Sequence, residues 1–394
     1  MRFNFYMPTN ILFGAGALEE LGTIQLPGKK ALIVISAGTS MKKQGYLERV
    51  EKLLAQNGAS SVLFDKIQPN PVKAHVMEGA ALAKKEGCDF VVGLGGGSSI
   101  DSAKSIAVMA KNPGDYWDYI GGGSGGGKPV EHGALPVIAI TTTAGTGTEA
   151  DPWTVITKEE TEEKIGFGCK YTFPAISIVD PDLMMTVPPA LTAYQGFDAL
   201  FHAIEGYIAT CASPISDISA LKSIELVARW LPTAIKDGAN KEARANVALA
   251  NTFSGFVETA SCCTSEHSLE HAMSAKHPAL PHGAGLILLS AAYFGFFEGK
   301  IPAVLYENMA RAMGVKVDAL PEGERGKAFL TALDKLREDC GVNRMKLSDY
   351  GISREELPEL ARNARDTMGG LFELDRYKLS FEETVEIYEK AFAR

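Results

Sequence analysis

The chain changes rhythm at Asp180-Pro181. Before that point short apolar runs alternate with stretches of helical period. Strands are expected at residues 29–36, 61–64, 89–94 and 135–140, and helices at 41–56, 74–86 and 98–111. Strands separated by helices of this length call for a parallel sheet, because only a crossover returns the chain to the same end of the sheet. Beyond it helical periods follow one another at 191–210, 216–231, 241–259 and 302–313, and run on to 381–392, with few runs that read as strands. Prolines 181, 188 and 189 mark the change. The expected architecture is an α/β domain over residues 1–187 and an all-α domain over residues 188–394.

A chain of 394 residues accommodates two such domains, and 46% hydrophobic with 22% charged residues is the balance of a globular enzyme. The net charge of −9, with scattered Lys and Arg, argues against nucleic acid as a partner. Six cysteines form no dense framework, which points to a reducing, cytoplasmic setting. The opening residues lack a basic stretch followed by an apolar run, and no run of ~18 apolar residues occurs, so neither a leader nor a membrane span is expected. The glycine-rich residues 121–127 read as a mobile surface loop.

Three segments of the first half have the composition of a dinucleotide cradle. Gly95-Gly96-Gly97-Ser98 follows an apolar strand and opens a helix, and Asp101 and Lys104 lie within its next two turns. Glycines let the backbone approach an anion closely, and the helix start adds its N–H groups and positive end. A glycine turn with a serine cap would also account for these residues. The first strand ends in Ser36-Ala37-Gly38-Thr39-Ser40, which is not a Gly-x-Gly-x-x-Gly fingerprint. The third segment, residues 141–149, offers threonine hydroxyls directly after a strand.

Five of the seven histidines fall between residues 202 and 282. Asp198 and His202 are four apart, as are His267 and His271, so each pair shares one helix face. With His282 these residues offer an N/O ligand set for Fe2+ or Zn2+. The run His267-Ser268-Leu269-Glu270-His271 also matches an inverted zinc-protease motif with Glu270 as general base, but that reading leaves the glycine and threonine loops without a role.

Taken together, the sequence resembles the iron-containing (group III) alcohol dehydrogenase family along nearly its whole length. The markers stand in order: Pro69-Asn70-Pro71; Gly95-Gly96-Gly97-Ser98 with Asp101 and Lys104; Thr142-Thr143-Ala144-Gly145-Thr146 with Glu149; Val179-Asp180-Pro181 with Leu183; Asp198 with His202; His267 with His271; and His282-Gly283. The resemblance implies an α/β N-terminal dinucleotide-binding domain, an all-α C-terminal domain (the dehydroquinate synthase-like fold), an active site in the cleft between them, and a homo-oligomer, a dimer. It makes Asp198, His202, His267 and His282 the metal ligands and His271 a residue near nicotinamide and substrate. It gives the pyrophosphate to Gly95, Gly96, Gly97 and Ser98, with Asp101 beside them. Thr142, Thr143, Thr146, Lys164 and Leu183 would line the adenosine and ribose side, with Asn70 nearby.

The sequence departs from the family pattern in places. Cys262 and Cys263 stand where small, glycine-rich residues are usual, Ser268, Leu269 and Glu270 where small apolar ones are, and the longer spacer before His282 contains His277. Trp153 occupies a variable position that would narrow a substrate pocket.

The implied function is metal-dependent, NAD(P)-linked hydride transfer between a nicotinamide and a small primary alcohol or aldehyde, with a Lewis-acid metal and His271 as proton relay. A lyase of the dehydroquinate synthase kind would need a cluster of Lys and Arg, and residues 266–283 offer only Lys276. No acid follows the first strand until Glu48, while Gly38 gives room, Thr39 and Ser40 offer hydroxyls, and Lys42 and Lys43 supply charge. A carboxylate there would favour NAD through the ribose hydroxyls, so its absence favours NADP(H), with NAD(H) the alternative.

Overall fold

The computed structural model describes residues 3–394. By internal contacts the chain divides into Tyr6–Thr186 and Val187–Arg394, the latter joined by residues 3–5.

The first unit is built on a six-stranded parallel sheet of β1 (Asn10–Phe13), β2 (Lys30–Ser36), β3 (Ser60–Ile67), β4 (Phe90–Gly95), β5 (Val137–Thr141) and β8 (Ile176–Val179). Its spatial order is β1-β8-β5-β4-β2-β3. The helices are α1 (Ser40–Lys43), α2 (Tyr46–Gln56), α3 (Lys73–Glu86) and α4 (Gly97–Lys111). β4 is buried at every residue and β2 at all but its ends, as expected of central parallel strands covered on both faces. β2 leads by α1 and α2 to β3 on one side, whereas β4 leads by α4 to β5 on the other. The connections therefore part outside the carboxyl ends of adjacent β2 and β4, the place where open α/β sheets bind ligands.

Strands β1 and β8, and the antiparallel pair β6 (Thr154–Lys158) and β7 (Glu163–Phe167), are additions to the elements expected from sequence. Each has only four or five residues, too few for a period to show. The segment 121–127 lies largely exposed, as expected of a surface loop, and closes on itself by hydrogen bonds. Gly126 and Gly127 donate to the carbonyls of Trp117 and Ile120, and Ser124 Oγ meets Glu163 Oε2 at 2.5 Å.

The second unit is helical: α5 (Pro189–Ile208), α6 (Pro214–Lys236), α7 (Lys241–Ala260), α8 (Ser265–Lys276), α9 (His282–Phe297), α10 (Ala303–Ala312), α11 (Glu322–Arg325), α12 (Ala328–Asp339), α13 (Leu357–Phe372) and α14 (Phe381–Phe392). Pro214 and Pro189 sit in first turns, where a missing N–H matters least, and Ser213, Asn240 and Ser380 cap α6, α7 and α14. α9 is buried along nearly its whole length and forms the core with α5, α8 and α14. Gly283 permits this: a Cβ there would strike the backbone of Tyr194, so the first turn of α9 lies directly on α5. Among the described residues no helix is long and apolar enough to cross a membrane.

Candidate active site: a dinucleotide cradle and a metal centre

In the α/β unit the register of β4 on β5 places Gly95 beside Thr141 and brings the glycine and threonine loops together. Thr142 N donates to Gly95 O at 2.9 Å. Gly95 has φ +145°, a conformation open to glycine. A Cβ on Gly96 would come within 3.0 Å of Thr143, and one on Gly97 within 2.5 Å of Thr146 Cγ2. Backbone, hydroxyls and the N-terminus of the 15-residue α4 thus share one corner at the carboxyl end of β4. Its N–H groups and helix dipole are suited to a pyrophosphate.

Asn70 holds a left-handed φ of +53°, and Lys164 of β7 donates to its Oδ1 at 3.1 Å, so these two predicted contacts meet. Leu183 is 1% exposed and belongs to the core cluster with Leu18 and Ile178. Asp101 accepts from Thr148 Oγ1 at 2.7 Å and from Val155 N at 2.9 Å, so each carboxylate oxygen has a protein donor. Burial pushes its carboxyl up to about 6. Lys104 is fully buried and donates to Thr148 Oγ1, Asp151 O and Trp153 O at 2.7, 2.9 and 2.9 Å. The Trp153 ring lies against Gly168.

At the end of β2, Gly38 and Ser40 are exposed. The absence of an acid before Glu48, read along the chain, does not hold in space. Asp65 of the neighbouring β3 pairs with Lys42, Nζ to Oδ2 2.5 Å, and that hydrogen bond holds the Asp65 carboxyl below its ordinary value.

In the helical unit Asp198, His202 and Glu205 lie on one face of α5. Around Asp198 Oδ1 gather His282 Nε2 at 3.4 Å, His202 Nδ1 at 3.4 Å and His267 Nε2 at 3.8 Å. A tetrahedral site with metal–ligand bonds of ~2.1 Å has ligand-to-ligand edges of about 3.4 Å. Asp198 Oδ1, His202 Nδ1 and His267 Nε2 are buried and make no hydrogen bond, an expensive condition unless a cation takes up their lone pairs. Burial alone would raise Asp198, but the imidazoles of His202 and His282 hold it well below the ordinary range. Burial lowers His202 to about 4, whereas at His267 burial is outweighed by Glu205 and Asp198, which hold that imidazole well above its ordinary value. The donor set therefore fits a divalent metal.

The ligand atoms of Asp198, His267 and His282 lie mutually close, as do those of His202, Cys263 and His267 and those of Glu270, His271 and His282, and the tilted rings of His202 and His267 have centroids 4.5 Å apart. Cys263 is a poor ligand: its thiol donates to Glu258 Oε2 at 3.2 Å, and burial with the Glu258 charge pushes it far above its usual value. His277 points elsewhere, Nε2 to Glu356 Oε2 3.1 Å, so the longer spacer delivers His282 to Asp198.

Two carboxylates back the imidazoles, and sequence reasoning passed over both roles. Glu205 contacts His267 Nδ1 and accepts from Thr264 N at 2.8 Å and Thr264 Oγ1 at 3.0 Å, capping α8. Its signal was legible as an acid three residues after His202. Glu270 contacts His282 Nδ1 and is fully buried. That placement removes the protease reading, in which Glu270 would serve a bound water. His271 is 4% exposed, with Nδ1 2.8 Å from Met368 Sδ at a kink in α13, and its ring lies 5.3 Å from that of His282.

Comparison with known proteins agrees with this geometry. The family described as iron-containing alcohol dehydrogenase matches residues 8–181, and the C-terminal part of the Fe-containing alcohol dehydrogenase family matches residues 192–392. The chain belongs to the iron-containing alcohol dehydrogenase family and is a metal-dependent, nicotinamide-linked oxidoreductase. It is 34% identical to the NAD-dependent methanol dehydrogenase of Bacillus methanolicus, over 92% of this chain and 93% of that one. With alcohol dehydrogenase 4 of Schizosaccharomyces pombe it shares 40% identity over 93% of this chain and 84% of the relative. Among solved structures, an archaeal halo-thermophilic alcohol dehydrogenase from a Red Sea brine pool superposes with a TM-score of 0.93 at 35% identity, covering 99% of both chains.

Proposed function

We propose that this alcohol dehydrogenase reduces small aldehydes and oxidises the corresponding primary alcohols, holding one divalent metal, Fe2+ with Zn2+ as alternative, on Asp198, His202, His267 and His282. The observation that carries the reading is the convergence of buried, unpartnered Asp198 Oδ1, His202 Nδ1 and His267 Nε2. When bound, the metal supplies Lewis acidity toward the substrate oxygen and the nicotinamide exchanges the hydride. The chain's own residues do the rest. Asp198 brings the one negative charge of the ligand set. Glu205 keeps the proton of His267 on Nδ1, so that Nε2 faces Asp198. His271, oriented by Met368, moves the hydroxyl proton at Nε2. Gly95, Gly96, Gly97, Ser98, Thr142, Thr143 and Thr146 hold the dinucleotide phosphates and ribose, with Asn70 and Lys164 alongside.

Leu183 packs in the core of the α/β unit, and Asp101 ties the first turns of α4 to Thr148 and Val155. NADP(H) is accepted through the open Gly38–Ser40 loop and the charge of Lys42 and Lys43, although Asp65 shares Lys42 and narrows the margin over NAD(H). All six cysteines are free thiols, which supports work in a reducing cytoplasm. The test is an aldehyde and alcohol panel with NADH and NADPH on protein reconstituted with Fe2+ or Zn2+. Turnover dependent on metal and nicotinamide supports the reading. Absence of turnover across the panel with both metals overturns it.

A further inference from the structure

We infer that Glu270 is a positioning residue of the metal centre, fixing His282 as a ligand through its ring tautomer. The inference rests on the ligand reading given above.

Glu270 is fully buried on α8. A buried carboxylate without compensating partners is strongly destabilising, so its placement requires a reason. Its partner is His282, whose Nδ1 meets Glu270 Oε2 while its Nε2 lies 3.4 Å from Asp198 Oδ1. The ring is held between two carboxylates, one at each nitrogen. An ionised carboxylate only accepts, so the proton stays on Nδ1 and the lone pair of Nε2 is directed at the point Asp198 and His267 share.

The fold makes room for this contact. A Cβ on Gly285, three residues after His282 on α9, would stand 2.7 Å from Glu270 Cγ and 2.8 Å from Oε1. Glycine at that position lets the carboxylate lie against the first turn of a 16-residue helix, where the N-terminal dipole favours negative charge. Glu205 stands in the same relation to His267. Two of the imidazoles therefore carry a carboxylate on the nitrogen turned away from Asp198, an arrangement that fixes orientation and raises ligand basicity.

The experiment reads metal binding directly, by Co2+ titration of metal-free protein followed through its visible d–d bands. Glu270→Ala is expected to weaken Co2+ binding 10- to 100-fold. Glu270→Gln, whose amide oxygen still accepts from Nδ1–H, should stay within tenfold of wild type and keep the band positions. Gly285→Ala, which crowds the carboxylate and leaves every charge in place, should resemble Glu270→Ala; if the latter does not fold, Gly285→Ala and Glu270→Gln decide.

Dinucleotide binding to the metal-free variants, read by nucleotide fluorescence, serves as the check on folding. Co2+ affinities of Glu270→Ala and Gly285→Ala within threefold of wild type would overturn the inference. So would a band shift in Glu270→Gln equal to that of His282→Ala, which would make Glu270 itself a ligand. Wild-type protein that binds no Co2+, or His267→Ala that binds it unchanged, would instead remove the ligand reading.

Discussion

Lys42 of α1 and Asp65 of β3 form an ion pair beside the end of β2, Nζ to Oδ2 2.5 Å. The pair is half-exposed and contributes little to stability. Its consequence lies in cofactor choice. Asp65→Asn frees the ammonium for a 2′-phosphate, and should raise the NADPH-to-NADH ratio of kcat/KM by roughly threefold to tenfold, or about 1 kcal/mol. Lys42→Ala should move the ratio the other way. Steady-state kinetics with one aldehyde and both reduced cofactors decide it; an unchanged ratio in both variants removes this pair from cofactor selection.

The two candidate fourth ligands separate cleanly. His282→Ala should abolish turnover and strip the metal. His277→Ala should keep metal and activity, losing only the contact with Glu356. Metal analysis of the purified variants distinguishes them, and the reverse pattern would move the ligand to His277.

Gly97→Ala places a methyl 2.5 Å from Thr146 Cγ2. The glycine and threonine loops must then part, and dinucleotide binding should weaken by about 1–3 kcal/mol, roughly tenfold to hundredfold. Metal content should not change. Calorimetric titration of the cofactor checks the first statement and metal analysis the second.

Asp375 supplies a pH signature. Burial pushes its carboxyl up to about 7, against hydrogen bonds from Ser265 and Tyr293 and with the charge of Glu205 adding to the rise. The folded chain thus keeps a proton that the unfolded chain releases near 3.8. Its contribution to stability is fully present below about pH 4 and is lost as pH rises through about 7. Asp375→Asn cannot titrate, so its stability relative to wild type should improve between pH 4 and 8 by on the order of 3 kcal/mol. Denaturant unfolding of both proteins across that range tests the sign, and a flat difference contradicts it.

The sequence carried some of this architecture openly. Long periodic elements such as β2, α4 and α5 were legible because their apolar runs or helical spacing continue for several turns or residues. The i, i+4 pairs Asp198/His202 and His267/His271 were legible for the same reason, since helix geometry alone puts each pair on one face. What sequence hid depends on contacts between distant segments. β1 and β8 are short and acquire meaning only by pairing with one another and with β5. Asp65 is remote from Lys42 along the chain and adjacent to it in space. The contact that gives Glu270 its place was hidden likewise, because its partner His282 arrives on the next helix.

Lys104 gives the cradle a property that a list of contacts does not convey. Its buried ammonium ties the helix that starts at Gly97 to Thr148, Asp151 and Trp153, just beyond the threonine loop. Both sides of the phosphate corner are thereby anchored to one internal cation before any cofactor arrives. These bonds hold the corner in place within the fold, so on the proposed reading little conformational entropy would remain to be lost when a dinucleotide binds. If the dinucleotide binds here as proposed, its affinity would draw on preorganisation within the α/β unit, and a change at Lys104 would be felt first as a floppier binding site.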